Sequence, residues 1–154
     1  MLGMYDPDEH DNSKEANLRK AARLVAKLPT VVAYLHRLRS GEEPKGPENE
    51  KTLAQNFLEM FTGRELSDEE RRIAEIFMTL HADHGMNAST FTARVTASTL
   101  ADMHAAITSA LGTLKGPLHG GANQRVMEML EEIEHPEMVD EYIEGLLEAG
   151  KRVM

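Results

Sequence analysis

Apolar positions recur along this chain at spacings of three and four residues, and no stretch alternates apolar and polar residues for long enough to make a strand. The pattern therefore predicts helix throughout, an all-α protein. A first helix is expected from Asn12 to Lys27, with Asn12 as N-cap and Glu15 three residues on. Pro29 suits the first turn of a second helix, which would carry Val32, Leu35 and Leu38 towards a core. Residues 40–47 hold two Gly and two Pro and read as a loop. The next helix runs from Glu50 to Phe61 and stops at Gly63, placed as a left-handed C-cap. Ser67-Asp68-Glu69-Glu70 has the form of a capping box and opens the most regular helix in the chain. Ile73, Phe77, Leu80 and then His84 fall on one face of it. Further helices are expected over Asn87–Thr99, Asp102–Leu114, Gly120–Ile133 and Pro136–Ala149. No unit of roughly 20–50 residues repeats, which excludes a solenoid.

The length, 154 residues, suits one compact core. Lys and Arg number 17 against 26 Asp and Glu, a formal charge of −9, which argues against a nucleic-acid surface. The longest apolar run is Val31-Val32-Ala33-Tyr34-Leu35, whereas a bilayer span needs about 20 such residues. No basic segment followed by an apolar one opens the chain, so a secretory leader is not expected. The absence of Cys excludes disulfides, thiolate nucleophiles and Cys-ligated metals. The expected setting is cytoplasmic. Lys14 to Arg39 concentrates seven cations against one Glu. That patch reads as a solvated helix face or subunit contact, or as a steering field for an anionic ligand. The acidic residues 128–154 read as exposed amphipathic helix, and the ten Met as core filler.

Candidate chemistry concentrates in residues 81–127, which hold only five charged residues yet four of the seven His. His81 and His84, at i and i+3, have the spacing of a metal pair, but the Glu of a zinc-protease HExxH motif is absent. His84 with Asn87, converging on a helix break at Gly85, has the chemistry to hold a small carboxylate; satisfied core histidines are the plainer alternative. Gly116-Pro117-Leu118-His119-Gly120-Gly121-Ala122-Asn123 implies a rigid, tight turn with exposed backbone on both sides of an imidazole. A helix follows, so His119 lies at its N-terminus, where the dipole disfavours imidazolium. A neutral imidazole can donate one N–H to a carbonyl oxygen and stabilise a developing enolate. The plainer alternative is a loop whose His caps the helix. His10, His36, His104 and His135 read as structural.

The segment from His81 to Val95 and the segment from Gly116 to Asn123, with Ala97-Ser98-Thr99-Leu100-Ala101-Asp102 between them, together resemble citrate synthase. Ala26 to Tyr34 and Asn56 to Met60 are similar to helices of its prokaryotic branch, and the resemblance covers essentially the whole chain. It implies a multi-helical fold, of which this chain would be the central part: residues 1–118 as large-domain helices, including those of dimerisation, and residues 119–154 as the start of the small domain. By position, His119 matches the catalytic histidine that stabilises the enol of acetyl-CoA. His84 matches the histidine that binds oxaloacetate, with Asn87 beside it.

The implied reaction is condensation of acetyl-CoA with oxaloacetate and hydrolysis of the thioester to citrate and coenzyme A. No metal or prosthetic group is implied, acetyl-CoA being a substrate, and a homodimer is expected. Two departures are visible. Gly85 stands where many relatives carry an acidic residue. Citrate synthases are also much longer: in them a Gly-x-Gly-His segment, the catalytic aspartate and the carboxylate-clamping arginines follow the counterpart of Met154. The chain is thus expected to be an incomplete, inactive piece of the enzyme. The alternatives are 2-methylcitrate synthase, acting on propionyl-CoA through the same residues, and a helical dimerisation module without activity of its own.

Overall fold

Side-chain oxygens open most of the helices. The computed structural model describes residues 2–83 and 85–153, and among these there are seven α-helices and no strand. They are α1 (Lys14–Arg39), α2 (Leu53–Thr62), α3 (Asp68–Ala82), α4 (Ala88–Ser98), α5 (Met103–Leu114), α6 (Gly120–Glu132) and α7 (Val139–Glu148). Ser13, Thr52, Ser67, Asn87 and Asp102 accept from the backbone N–H three residues on, satisfying an orphan donor at the start of α1 to α5. The capping box forms as the sequence implies, with Glu70 reaching back to the Ser67 N–H at 2.9 Å. Gly63 ends α2 in the left-handed region at φ 76°.

The chain divides into two compact units, Met1–Gly85 and Met86–Met154. In the first, α2 packs against both α1 and α3. The buried face of α1 carries Ala16, Lys20, Leu24, Ala33 and Arg37, and small residues let α2 approach closely. Arg37 ties the end of α1 to the loop after it: its Nε donates to the Glu43 carbonyl at 2.7 Å and its Nη1 meets Glu42 at 2.9 Å. A Cβ on Gly63 would run into that guanidinium, so the αL cap of α2 also makes room for Arg37. His36 stacks on Phe61 with ring centroids 3.8 Å apart, the structural role expected of it. In the second unit α4 lies along α5, joined by a Thr113 to Thr92 hydroxyl hydrogen bond of 2.9 Å.

Several expectations are corrected. The break at Pro29 does not occur: α1 is one helix from Lys14 to Arg39 with Pro29 inside. Pro29 removes one backbone donor, four residues on from Val25, and Val25 is itself exposed, so water can satisfy the freed carbonyl. The cap is Ser13 rather than Asn12. Val32, Leu35 and Leu38 do not enter a core but lie exposed, because the face that meets α2 is the one with Ala33 and Arg37. Met60 is buried, whereas Met4, Met86, Met127 and Met138 are exposed rather than core filler.

The cationic patch of α1 is largely consumed within the chain. Arg23 forks onto Asp6 and reaches Asp8, Arg19 pairs with Asp8, and Lys20 is fully buried with its ammonium donating to the Asp11 carbonyl at 2.6 Å. Hydrogen bonds from Arg19 and Arg23 hold the Asp8 carboxyl well below the usual carboxylate range. These contacts pin residues 2–12 onto α1 in place of an open steering field.

Candidate active site

The second unit places His119 as expected, at the residue preceding α6. The turn closes through the Gly116 carbonyl, which accepts from the His119 N–H at 3.0 Å and the Gly121 N–H at 3.4 Å. A Cβ on Gly120 would fall directly on the Leu114 carbonyl oxygen, so the chain can fold back against α5 only with glycine there. Unlike α1 to α5, α6 has no side-chain cap: His119 does not fold back onto its own helix. Its imidazole is half-buried and reaches towards α4 instead, with Nε2 2.9 Å from Ser89 Oγ.

Ser89 and Asn87 complete a short polar chain. The Ser89 hydroxyl donates to Asn87 Oδ1 at 2.8 Å, and the same oxygen accepts the Thr90 N–H at 2.7 Å as the N-cap of α4. Asn87 Nδ2 and His119 Nδ1 have no hydrogen-bond partner among the described residues. Asn87 and His119, which lie 32 positions apart in the sequence, are thus joined through one hydroxyl. Sequence pattern assigns no role to Ser89; its one signal is a small hydroxyl residue two positions after an N-cap asparagine. Beside the turn, a cavity of about 520 Å³ opens between the end of α5 and the first turns of α6, edged by Lys115 and Arg125. That volume lies within the range of small-molecule sites.

His84 lies outside the described residues. α3 ends earlier than expected, at Ala82, with Asp83 already extended at φ −90° and ψ 92°. His81 is engaged in its own helix: Nδ1–H donates to the Phe77 carbonyl at 2.8 Å and the ring lies against Phe77. No group of three His, Asp or Glu side chains gathers as a metal site among the described residues. His104 sits in the first turn of α5 with its side chain largely covered.

The sequence model of the family described as "Citrate synthase, C-terminal domain" matches residues 1–154. The chain belongs to the citrate synthase family. Citrate synthase 2 of Bacillus subtilis is 47% identical over 154 residues, covering 100% of this chain and 41% of that protein. A 2-methylcitrate synthase of Mycobacterium tuberculosis is 44% identical over 153 residues, 99% of this chain and 38% of its own length. Among solved structures, the ternary complex of carboxymethyl coenzyme A and oxaloacetate with the citrate synthase of Thermoplasma acidophilum superposes with a TM-score of 0.80 at 29% identity, covering 98% of this chain and 39% of that one. The chain therefore spans about two-fifths of the length of these citrate synthase relatives, and its all-helical architecture is theirs.

Proposed function

We propose that this chain is the central portion of an enzyme that condenses acetyl-CoA with oxaloacetate and hydrolyses the thioester to citrate and coenzyme A. The observation that carries the reading is His119: at the uncapped start of α6, one ring nitrogen is tethered to Ser89 and the other has no partner among the described residues. The open nitrogen, Nδ1, is the one placed to donate to the thioester carbonyl once it carries the ring proton, and so to stabilise the enolate that develops there. Asn87 spends its oxygen on the α4 cap and keeps its amide N–H groups for a carboxylate of oxaloacetate, with His84 as the second donor. Acetyl-CoA enters as substrate, and the reaction calls for no metal or prosthetic group.

In this reading residues 1–118 belong to the large domain and residues 119–154 begin the small one. The protein works as a cytoplasmic homodimer, and no helix among the described residues is long and apolar enough to cross a membrane. The proton-abstracting carboxylate and the arginines that grip both carboxylates of oxaloacetate come from outside these 154 residues, so the chain alone is inactive. Loss of a general base by itself typically costs a factor of about 10²–10⁴. A second reading, 2-methylcitrate synthase, is favoured by the 44% identical relative of that name. The two substrates differ by one methylene, worth only about 1–3 kcal/mol of discrimination.

Turnover of acetyl-CoA and propionyl-CoA by the whole enzyme tests both readings. A higher kcat/KM for acetyl-CoA supports the first and a higher value for propionyl-CoA the second; turnover of neither sinks both. For the chain alone, thiol release from acetyl-CoA above background would show that it holds more of the site than proposed.

A further inference from the structure

The polar chain from α4 to His119 has a proton count that fixes more than position. Asn87 Oδ1 must be the oxygen of the amide, because the Thr90 N–H points at it from 2.7 Å. Ser89 Oγ lies 2.8 Å from that oxygen, and the amide oxygen has no proton to give, so the hydroxyl proton lies between them on the serine. Ser89 has only that one proton. At 2.9 Å from His119 Nε2 its oxygen can therefore only accept, and the proton of that hydrogen bond belongs to the ring nitrogen. The neutral imidazole is then protonated at Nε2 and carries a lone pair at Nδ1. Yet Nδ1 is the nitrogen with no partner among the described residues, and the one that must carry a proton to polarise a carbonyl.

We propose that Asn87 is a positioning residue for His119: by claiming the Ser89 hydroxyl proton it holds the imidazole in its Nε2–H tautomer, and Ser89 must turn that proton to Nε2 before Nδ1 can donate. The change balances through water, which delivers a proton to Nδ1 and removes the one on Nε2, leaving the ring neutral before and after. The Ser89 hydroxyl rotates from an acceptor of the ring N–H to a donor towards the bare Nε2. A substrate group that binds the Asn87 amide could draw its oxygen away from Ser89 and so trigger the rotation, coupling one substrate's arrival to readiness for the other. This last step rests on the reading of His119 as the group that polarises the acyl carbonyl; the resting tautomer does not.

The test is the ¹⁵N spectrum of the histidine rings of the full 154-residue chain without substrate, on the alkaline side of histidine's ordinary range, with His119 assigned by its loss in His119→Gln. The unchanged chain should show a protonated Nε2 and a lone-pair Nδ1. Asn87→Ala frees the Ser89 proton, and Nδ1–H should become the larger population. Asn87→Asp still caps α4 and still accepts from Ser89, so it should keep Nε2–H, a rescue that a merely structural role for the amide does not require. If Asn87→Ala fails to fold, Ser89→Ala decides instead: it leaves the cap intact, and a measurable Nδ1–H fraction should appear. Predominant Nδ1–H in the unchanged chain overturns the proposal, as does an unmoved tautomer in folded Asn87→Ala or in Ser89→Ala. Because no substrate is present, failure here leaves the assignment of His119 to acyl polarisation standing, and an inactive whole enzyme leaves the tautomer standing.

Discussion

Leu100 is the one non-glycine residue at positive φ among those described, at 65°, and its side chain is 87% exposed. A Cβ in that region costs about 1–2 kcal/mol, and the exposed leucine recovers little of it by burial. Leu100→Gly should therefore raise stability by up to about 1 kcal/mol once the extra unfolded-state freedom of glycine is subtracted. Thermal or urea unfolding of the two chains checks this, and a loss of stability would show that the Leu100 side chain makes a stabilising contact despite its exposure. A second expectation concerns the two histidines in the whole enzyme. On the proposed reading, His119→Ala should lower kcat about 10²–10³-fold with little change in the KM for oxaloacetate, since the charge it would meet develops only in the transition state. His84→Ala should act mainly on that KM, because a carboxylate is present throughout the reaction. Similar effects of both changes on oxaloacetate binding would contradict the roles. The position of His119 was legible in the sequence, because Pro117 and the surrounding glycines admit only a tight turn before a helix. Ser89 was not: the hydrogen bond that matters joins residues thirty positions apart, and no local pattern encodes which hydroxyl an imidazole will find.

At the scale of the elements, the caps were the most legible feature. A serine, threonine, asparagine or aspartate three residues ahead of an N–H with no other partner is a local signal: Ser67 caps where the pattern puts it, Asn87 and Asp102 cap the helices they were expected to open, and at α1 the cap is one residue on from Asn12. The faces were not legible in the same way. An apolar stripe says that a helix face will be covered, but not by which partner, and both Leu35 on α1 and Phe77 on α3 are exposed within their own unit. Part of what joins α2 to its surroundings is polar, beside the buried Ala54 and Met60 and the Phe61 stack. The Glu59 carboxylate accepts from the Lys51 ammonium at 2.7 Å, from the Gln55 amide at 2.9 Å and from the Leu66 N–H at 3.2 Å. The Lys51 ammonium, then Gln55, hold the Glu59 carboxyl down at about 2, against an ordinary value of 4.5. A carboxyl depressed by folding stabilises fully above its unfolded value, and that contribution is lost as the pH falls through the folded one. The first unit should thus weaken progressively between pH 4.5 and about 2. Glu59→Gln should lower the melting temperature at pH 7 and flatten its dependence on pH over that window, followed by circular dichroism. An acid limb as steep as that of the unchanged chain would assign the loss to other carboxylates.

For the whole molecule the decisive quantity is apolar surface left uncovered. In the first unit Val31, Val32, Leu35 and Leu38 stand exposed along the second half of α1, and Ile73, Ile76, Phe77 and Leu80 along α3. In the second unit Ala106 is the one buried apolar residue among those described, while Phe91, Val95, Leu111 and Leu114 are exposed. Residues 87–114 carry just two charges, Arg94 and Asp102. Charge depletion of this kind marks the centre of an interface rather than its rim, and contiguous apolar faces of this extent are rare on monomers. A net charge of −9 opposes association over distance, but salt screens it to within about 10 Å, whereas burial of the apolar faces is not screened. The chain should therefore self-associate at micromolar concentration, more tightly as salt is raised. Leu35→Lys on α1 and Leu111→Lys on α5 each place a charge on an exposed apolar face, so neither should unfold its own unit while one or both shift the equilibrium towards monomer. Sedimentation velocity across a concentration series reads the outcome. A well-behaved monomer at every salt concentration would mean that these faces are covered in some way other than by a second copy.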